Sequence, residues 1–251
     1  MNDLTEILPQ VAVVVPVRNE EGNVAALVSE IEAALAPLGP FEIIYVNDGS
    51  TDRTGAVLNE LMETRPHLRR IDHAQSCGQS AAVRTGVRAA RAPVCVTIDG
   101  DGQNDPAFIP QLVATLAAAG PGCGLVQGQR TGRKTTGFKK FQSRTANIVR
   151  ARILKDGTRD TGCGLKCFPR EAYLALPYFD ALHRFMPALV KREGYILAYV
   201  DVKDRDRLTG VSNYGFFDRL WVGIVDLAGV RWMIKRRKRV PQASEITKGG
   251  A

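Results

Sequence analysis

The chain has 251 residues, 45% of them hydrophobic and 24% charged, so it can bury a core without disulfides. Its 34 Lys and Arg against 26 Asp and Glu leave +8, but the excess is local. Nine basic and no acidic residues fall between Arg130 and Lys155, and six basic and no acidic between Arg231 and Arg239, so the rest of the chain carries −7, which argues against a nucleic-acid binder and suggests two anionic partners, a phosphate and a membrane surface.

The first 130 residues alternate between short apolar runs and helical periodicity. Val11 to Pro16 is a continuous apolar run, the pattern of a strand buried on both faces. Glu20 to Leu35 predicts a helix with Val24, Leu27, Val28, Ile31 and Leu35 on one face. A strand over Phe41 to Val46, a helix over Thr51 to Thr64 and a short strand over Leu68 to Asp72 follow. Gly78 to Arg91 predicts an alanine-rich helix, Val94 to Ile98 a buried strand, Pro106 to Ala118 a helix opened by proline, and Leu125 to Gln129 a strand. The uncharged stretch from Pro106 to Gln129 is broken by Gly120-Pro121-Gly122 and therefore reads as helix, turn and strand, not as a membrane span. Beyond Arg130 the pattern changes. Thr131 to Gly137 reads as a basic loop, Phe138 to Leu154 as a helix and Arg159 to Lys166 as a glycine-containing turn region. Helices over Glu171 to Leu176 and His183 to Glu193, a strand over Tyr195 to Val202 and a polar loop over Arg205 to Tyr214 complete the body. Phe216 to Ile234 predicts an amphipathic helix that runs into Lys235-Arg236-Arg237-Lys238-Arg239, and the last ten residues a flexible tail. The expected organisation is a domain over 1–215, a basic helix over 216–240 and a tail over 241–251. The opening M-N-D-L-T-E has neither a basic nor an apolar leader pattern, so no signal peptide is expected. The five cysteines fit no disulfide framework and read as reduced thiols.

Strand–helix alternation with apolar strands implies an α/β fold, an open and mostly parallel sheet covered by helices. Such sheets bind ligands at the carboxyl ends of their strands. The polar clusters Arg18-Asn19-Glu20, Asn47-Asp48-Gly49-Ser50 and Asp99-Gly100-Asp101-Gly102-Gln103 all fall there. Two carboxylates one residue apart can share one hard cation, magnesium or manganese, which would bridge them to a diphosphate. Neither a phosphate-binding lysine loop nor a dinucleotide glycine fingerprint is present.

V-V-V-P-V-R-N-E-E (Val13 to Glu21), N-D-G-S-T-D (Asn47 to Asp52), G-Q-S-A-A-V-R-T-G (Gly78 to Gly86) and D-G-D-G-Q-N-D-P (Asp99 to Pro106) resemble family 2 glycosyltransferases of the GT-A fold. D-T-G-C-G-L-K-C-F (Asp160 to Phe168) and R-L-T-G-V-S-N-Y (Arg207 to Tyr214) are similar to the dolichyl-phosphate mannosyltransferase branch, the polyprenyl-phosphate glycosyltransferases. The resemblance covers residues 10–215 and implies roles. Pro16, Arg18, Glu20 and Gly78 would line a nucleotide pocket, with Asp48 near the base. Asp99 and Asp101 would hold the metal and Gln103 would stand on the donor side. Arg130 would meet a phosphate. Lys139, Lys140, Ser143 and Arg144 would bind the lipid phosphate, with Asp160 beside them. Arg207 and Ser212 would close over the donor diphosphate.

The implied reaction is inverting transfer of a sugar from a GDP- or UDP-linked donor to polyprenyl or dolichyl phosphate. A phosphate acceptor is already anionic and needs no strong base. A hydroxyl acceptor on a lipid, glycan or protein would need one, with Asp160 as candidate, and a non-catalytic nucleotide-sugar-binding protein is the third reading. Asn47, Leu165 and Asn213 depart from the family's usual aspartate, phenylalanine and lysine. Ala228 stands where the processive synthases' Q-x-x-R-W has glutamine. The C-terminal helix is too short and charged to span a bilayer but suits a membrane surface. The chain is thus expected at the cytoplasmic membrane face, docked directly or through a separate membrane protein. The scattered His67, His73 and His183 read as structural or exposed.

Overall fold

The computed structural model describes residues 8–131, 150, 152–205, 216–236 and 244. Seven strands form one sheet: β1 (Val11–Val17), β2 (Phe41–Asp48), β3 (Leu68–His73), β4 (Val94–Thr97), β5 (Cys123–Thr131), β6 (Lys166–Pro169) and β7 (Ile196–Lys203). Their order is β3-β2-β1-β4-β6-β5-β7. The half from β3 to β4 is parallel, β6 runs antiparallel to both β4 and β5, and β5 pairs with β7 in parallel. The helices are α1 (Val24–Leu35), α2 (Thr54–Met62), α3 (Gln79–Ala89), α4 (Ile109–Ala119), α5 (Arg170–Leu174), α6 (Leu182–Arg192) and α7 (Phe216–Lys235).

Successive strand residues point to opposite faces, so β1 divides its valines between two cores. Val11, Val13, Val15 and Val17 pack with Leu27 and Ile31 of α1, Leu58 of α2 and Leu112 of α4. Ala12 and Val14 pack on the other face with Val83 and Val87 of α3, Tyr173 of α5, Leu189 of α6 and Val230 of α7. Burial on both sides is why β1, β2 and β4 read as unbroken apolar runs. The apolar side of α7 closes the second core through Val230, Leu227, Met233 and Ile234. Its outer side leaves Ile224, Val225 and Trp232 exposed at 51, 55 and 62%. Among the described residues no helix is long and apolar enough to cross a membrane.

The expected helices other than that over Phe138 to Leu154 form with shifted ends: α1 begins at Val24 and not Glu20, α2 at Thr54 and not Thr51, and α7 runs one residue past Ile234. Among the described residues the one strand that the periodicity does not predict is β6. Lys-Cys-Phe-Pro has no alternation to read, yet it takes a central place because β4 and β5 both need a partner there. Of the predicted helix over Phe138 to Leu154, Arg150 and residues 152–154 are described and helical.

Candidate active site

The site is built where β1, β2 and β4 end. Asn19, after β1, takes a left-handed backbone (φ 57°) that turns the chain across the end of β2. Its N–H donates to Ser50 Oγ at 3.0 Å, and Thr51 N–H donates back to Asn19 Oδ1 at 2.8 Å. Glu20 N–H donates to Thr54 Oγ1 at 2.9 Å, so both loops are fixed as one rim. Arg18 is exposed on that rim. Asn47 explains its own departure from the family's usual aspartate. Its Nδ2 donates to Asp72 Oδ1 at 2.6 Å and its Oδ1 accepts from Ser50 N–H at 3.2 Å, an exchange that needs one donor and one acceptor and would set a carboxylate against Asp72.

Asp48 is 5% exposed and both of its oxygens are occupied. Oδ1 accepts from Cys77 N–H and pairs with His73 Nδ1, while Oδ2 accepts from Ser76 Oγ and Gly78 N–H. Burial alone would raise its pKa, but these donors outweigh it and hold the carboxyl below its ordinary value. Asp48 therefore shapes the 75–78 loop that opens α3. Asp48, His73 and Cys77 lie close enough to suggest a metal donor set, but Asp48 already spends its oxygens on N–H and O–H groups, so the set does not suit a cation.

Asp99 and Asp101 stand just past the end of β4. Gln79 Nε2 donates to Asp99 Oδ1 at 2.7 Å, and Asp99 N–H donates to Asn104 Oδ1 at 3.3 Å. Gln103 N–H donates to Asp101 Oδ1 at 3.1 Å, so Gln103 supports the pair through its backbone. Burial raises the Asp99 pKa to about 6, Lys166 and Arg130 oppose that rise, and the charges of Asp101 and Asp204 add to it. Lys166, 3% exposed, hydrogen-bonds the Cys163 carbonyl, and among the described residues no ion pair joins it to Asp99. A carboxylate whose ionised form is disfavoured by burial and by the charge of a second carboxylate is a donor that a divalent cation fits. Gly164 is the neighbour that makes room: a Cβ there would lie 2.4 Å from Asp99 Cγ and Oδ2 and 2.5 Å from Asn104 Oδ1.

Two cavities meet at Asp99. The larger, about 310 Å³, is lined by Pro16, Arg18, Glu20, Asp48, Gly78 and Asp101, which brings the sequence-expected nucleotide residues together. The smaller is lined by Gly164, Lys166, His183, Arg184 and Met186 among others. Pro16, Gln79 and Asp99 line both.

Arg130 is placed otherwise than as an open phosphate ligand. Its Nε and Nη2 donate to Asp160 at 2.5 and 2.9 Å, and its Nη1 to Asp204 at 3.3 Å. It therefore fastens the end of β5 to two acidic loops. Lys139, Lys140, Ser143, Arg144, Arg207 and Ser212 lie outside the described residues. Sequence reasoning missed Gln79, Asn104, Gly164, Lys166 and His183 as site residues. Gln79, Asn104, Gly164 and Lys166 lie inside the family-like motifs, a usable signal, whereas nothing in a lone histidine pointed to the cavity.

The sequence model of glycosyl transferase family 2 matches residues 12–176. An undecaprenyl-phosphate 4-deoxy-4-formamido-L-arabinose transferase of Pectobacterium carotovorum is 32% identical over 83% of this chain and 64% of its own length. The chain thus spans less than two thirds of that relative. A dodecaprenyl-phosphate galacturonate synthase of Rhizobium johnstonii is 33% identical over 95% of this chain and 71% of its own. Among solved structures, a mannosyltransferase from Pyrobaculum calidifontis in complex with GDP-Man and Mn2+ superposes with a TM-score of 0.65 at 20% identity, covering 93% of this chain and 66% of that one. Glucosyl-3-phosphoglycerate synthase from Mycobacterium tuberculosis gives 0.63 at 20% identity over 94% and 82%. These likenesses establish the GT-A fold.

Proposed function

From the premise that the chain belongs to glycosyl transferase family 2, we propose that it moves a sugar from a GDP- or UDP-linked donor to a polyprenyl phosphate, inverting the anomeric carbon in one displacement. The observation that carries this reading is the junction at Asp99. One carboxylate faces both a cleft sized for a nucleotide and a second cavity beside it, so a nucleotide-sugar can span the two with its diphosphate at Asp99.

Asp99 and Asp101 would hold Mg2+ or Mn2+, which when bound supplies shielding of the departing diphosphate. The protein's own contribution is positional. Gln79 fixes Asp99, Gln103 N–H fixes Asp101, and the rim laced by Asn19, Ser50 and Thr54 holds Arg18 and Glu20 along the donor cleft. An acceptor phosphate brings a charged oxygen, so alignment and charge neutralisation suffice. Lys139, Lys140, Ser143 and Arg144 belong to the acceptor side in this reading, and Arg207 and Ser212 to the donor diphosphate.

A lipid acceptor requires a membrane surface. The exposed Ile224, Val225 and Trp232 of α7, beside Arg231, Lys235 and Arg236, suit an anionic interface at the cytoplasmic face. A separate membrane protein that docks the chain or uses its product fits the same reading.

The test is transfer of labelled sugar from UDP- and GDP-sugars to a short polyprenyl phosphate in the presence of Mn2+, with Asp101→Asn alongside. Wild-type turnover with a loss of ~100-fold or more in the variant is expected, on the scale of removing one electrostatic contact at a reacting centre. Unchanged activity in Asp101→Asn would remove the metal from the mechanism. Equal transfer to the uncharged polyprenol would remove the phosphate acceptor, and binding without turnover would leave a nucleotide-sugar-binding protein.

A further inference from the structure

We propose that His183 is a sugar-positioning residue: its Nε2–H, aimed by Ser80, donates a hydrogen bond to a hydroxyl of the transferred sugar in the smaller cavity beyond Asp99. This rests on the donor reading above and adds the group that recognises the sugar itself.

The tautomer follows from the partners of one hydroxyl. Ser80 Oγ lies 2.7 Å from His183 Nδ1 and also accepts the His183 backbone N–H at 3.3 Å. With the Ser80 hydroxyl assigned as the donor to Nδ1, Nδ1 carries the lone pair and the ring proton sits on Nε2, the tautomer that the proposal takes. Nε2 has no protein partner among the described residues, on a side chain that lines the cavity. Burial, with the charges of Lys166 and Arg184, pushes the imidazole pKa down to about 3, so the ring is a neutral donor at physiological pH. Neutrality favours a hydroxyl partner.

The place of the sugar follows from connectivity. Pro16, Gln79 and Asp99 line both cavities, so a donor whose diphosphate reaches Asp99 and Asp101 from the larger cleft carries its sugar into the smaller one. Ser80 is buried in the first turn of α3, next to the Gln79 that holds Asp99. The same helix start therefore sets both the carboxylate and the imidazole.

The experiment titrates Mn2+-loaded protein with UDP-glucose, UDP-glucuronate and GDP-mannose, each against its sugar-free UDP or GDP, for wild type, His183→Phe, His183→Gln and Ser80→Ala. His183→Phe keeps the ring volume and deletes the donor. It should weaken the bound nucleotide-sugar about tenfold, the scale of one lost hydrogen bond, while UDP or GDP affinity stays within twofold. His183→Gln, which keeps a donor, should recover part of the loss, and Ser80→Ala should lose less than His183→Phe. Melting temperatures confirm that the variants are folded. Equal weakening of nucleotide and nucleotide-sugar, or weakening of neither, overturns the proposal. So does a loss confined to the KM for polyprenyl phosphate, which assigns the histidine to the acceptor. Wild-type protein that binds neither UDP nor GDP overturns the donor reading as well.

Discussion

Gly164→Ala adds one methyl group at the closest approach in the site. The new Cβ would sit 2.4 Å from Asp99 Cγ and Oδ2 and 2.5 Å from Asn104 Oδ1, where ordinary contact begins near 3.4 Å. Roughly 1 Å of displacement is required. Gly164 cannot easily yield, because its carbonyl accepts from Thr97 Oγ1 at 2.7 Å and the next residues enter β6. Asp99 must move instead, and with it the bond from Gln79. A misplacement of about 1 Å costs on the order of 100-fold in rate, equivalent to about 2.7 kcal/mol of barrier. Overpacking should cost about 1–3 kcal/mol of stability, or a few degrees in Tm for a chain of this size. The assay pairs initial rates of sugar transfer with calorimetric Mn2+ binding and a thermal melt. A folded variant that turns over and binds Mn2+ as wild type does would refute the claim that Asp99 must stay where Gly164 lets it stand.

Asp48→Asn should cost about 2 kcal/mol at pH 7, because the lost charge weakens hydrogen bonds to four donors. The wild-type carboxyl is held below its ordinary pKa in the folded state, so its contribution is present above the unfolded pKa and lost as pH falls through the folded one; urea melts should show the two proteins converging below about pH 4. His183 acts in the same direction, at higher pH. Its pKa drops from 6.5 to about 3 on folding, so the unfolded chain takes up a proton that the native state refuses, and stability falls as pH drops between those values. His183→Gln should show a shallower fall of Tm from pH 7 to pH 4, and a parallel fall would contradict the buried neutral ring. At α7, Lys235→Gln with Arg236→Gln should weaken sedimentation with anionic vesicles by up to ~30-fold, at about 1 kcal/mol per basic residue, and leave neutral vesicles unaffected.

The sheet's parallel half was legible because strands buried on both faces leave unbroken apolar runs, as Val11–Val17 and Phe41–Asp48 do. The location of the site was legible for a related reason: three polar clusters each follow such a run, and topology gathers the strands' carboxyl ends. β6 was not legible, since four residues closed by a proline carry no period and their place is set by the strands on either side. Side-chain commitments across long separations were hidden too. Arg130 reads as a phosphate ligand until Asp204, 74 residues away, and Asp160 are seen to hold it. His183 reads as a scattered histidine until Ser80, 103 residues away, is seen to orient it.

The commitment of Arg130 also bears on the choice of acceptor. A hydroxyl acceptor must lose a proton as it attacks, and Asp160 was the carboxylate available to take it. Both Asp160 oxygens accept from Arg130, and Oδ1 also accepts from Gly162 N–H at 3.0 Å. Burial pushes its pKa up, but the guanidinium outweighs burial and holds the carboxyl below its ordinary value. A carboxylate so occupied and so weakly basic is poorly suited to proton abstraction. Asp99 is more basic, yet a cation shared with Asp101 would claim its oxygens and suppress that basicity. An acceptor that arrives already ionised makes no demand on either residue. The arrangement that weakens the case for a base is thus the one that favours a phosphate as the attacking group.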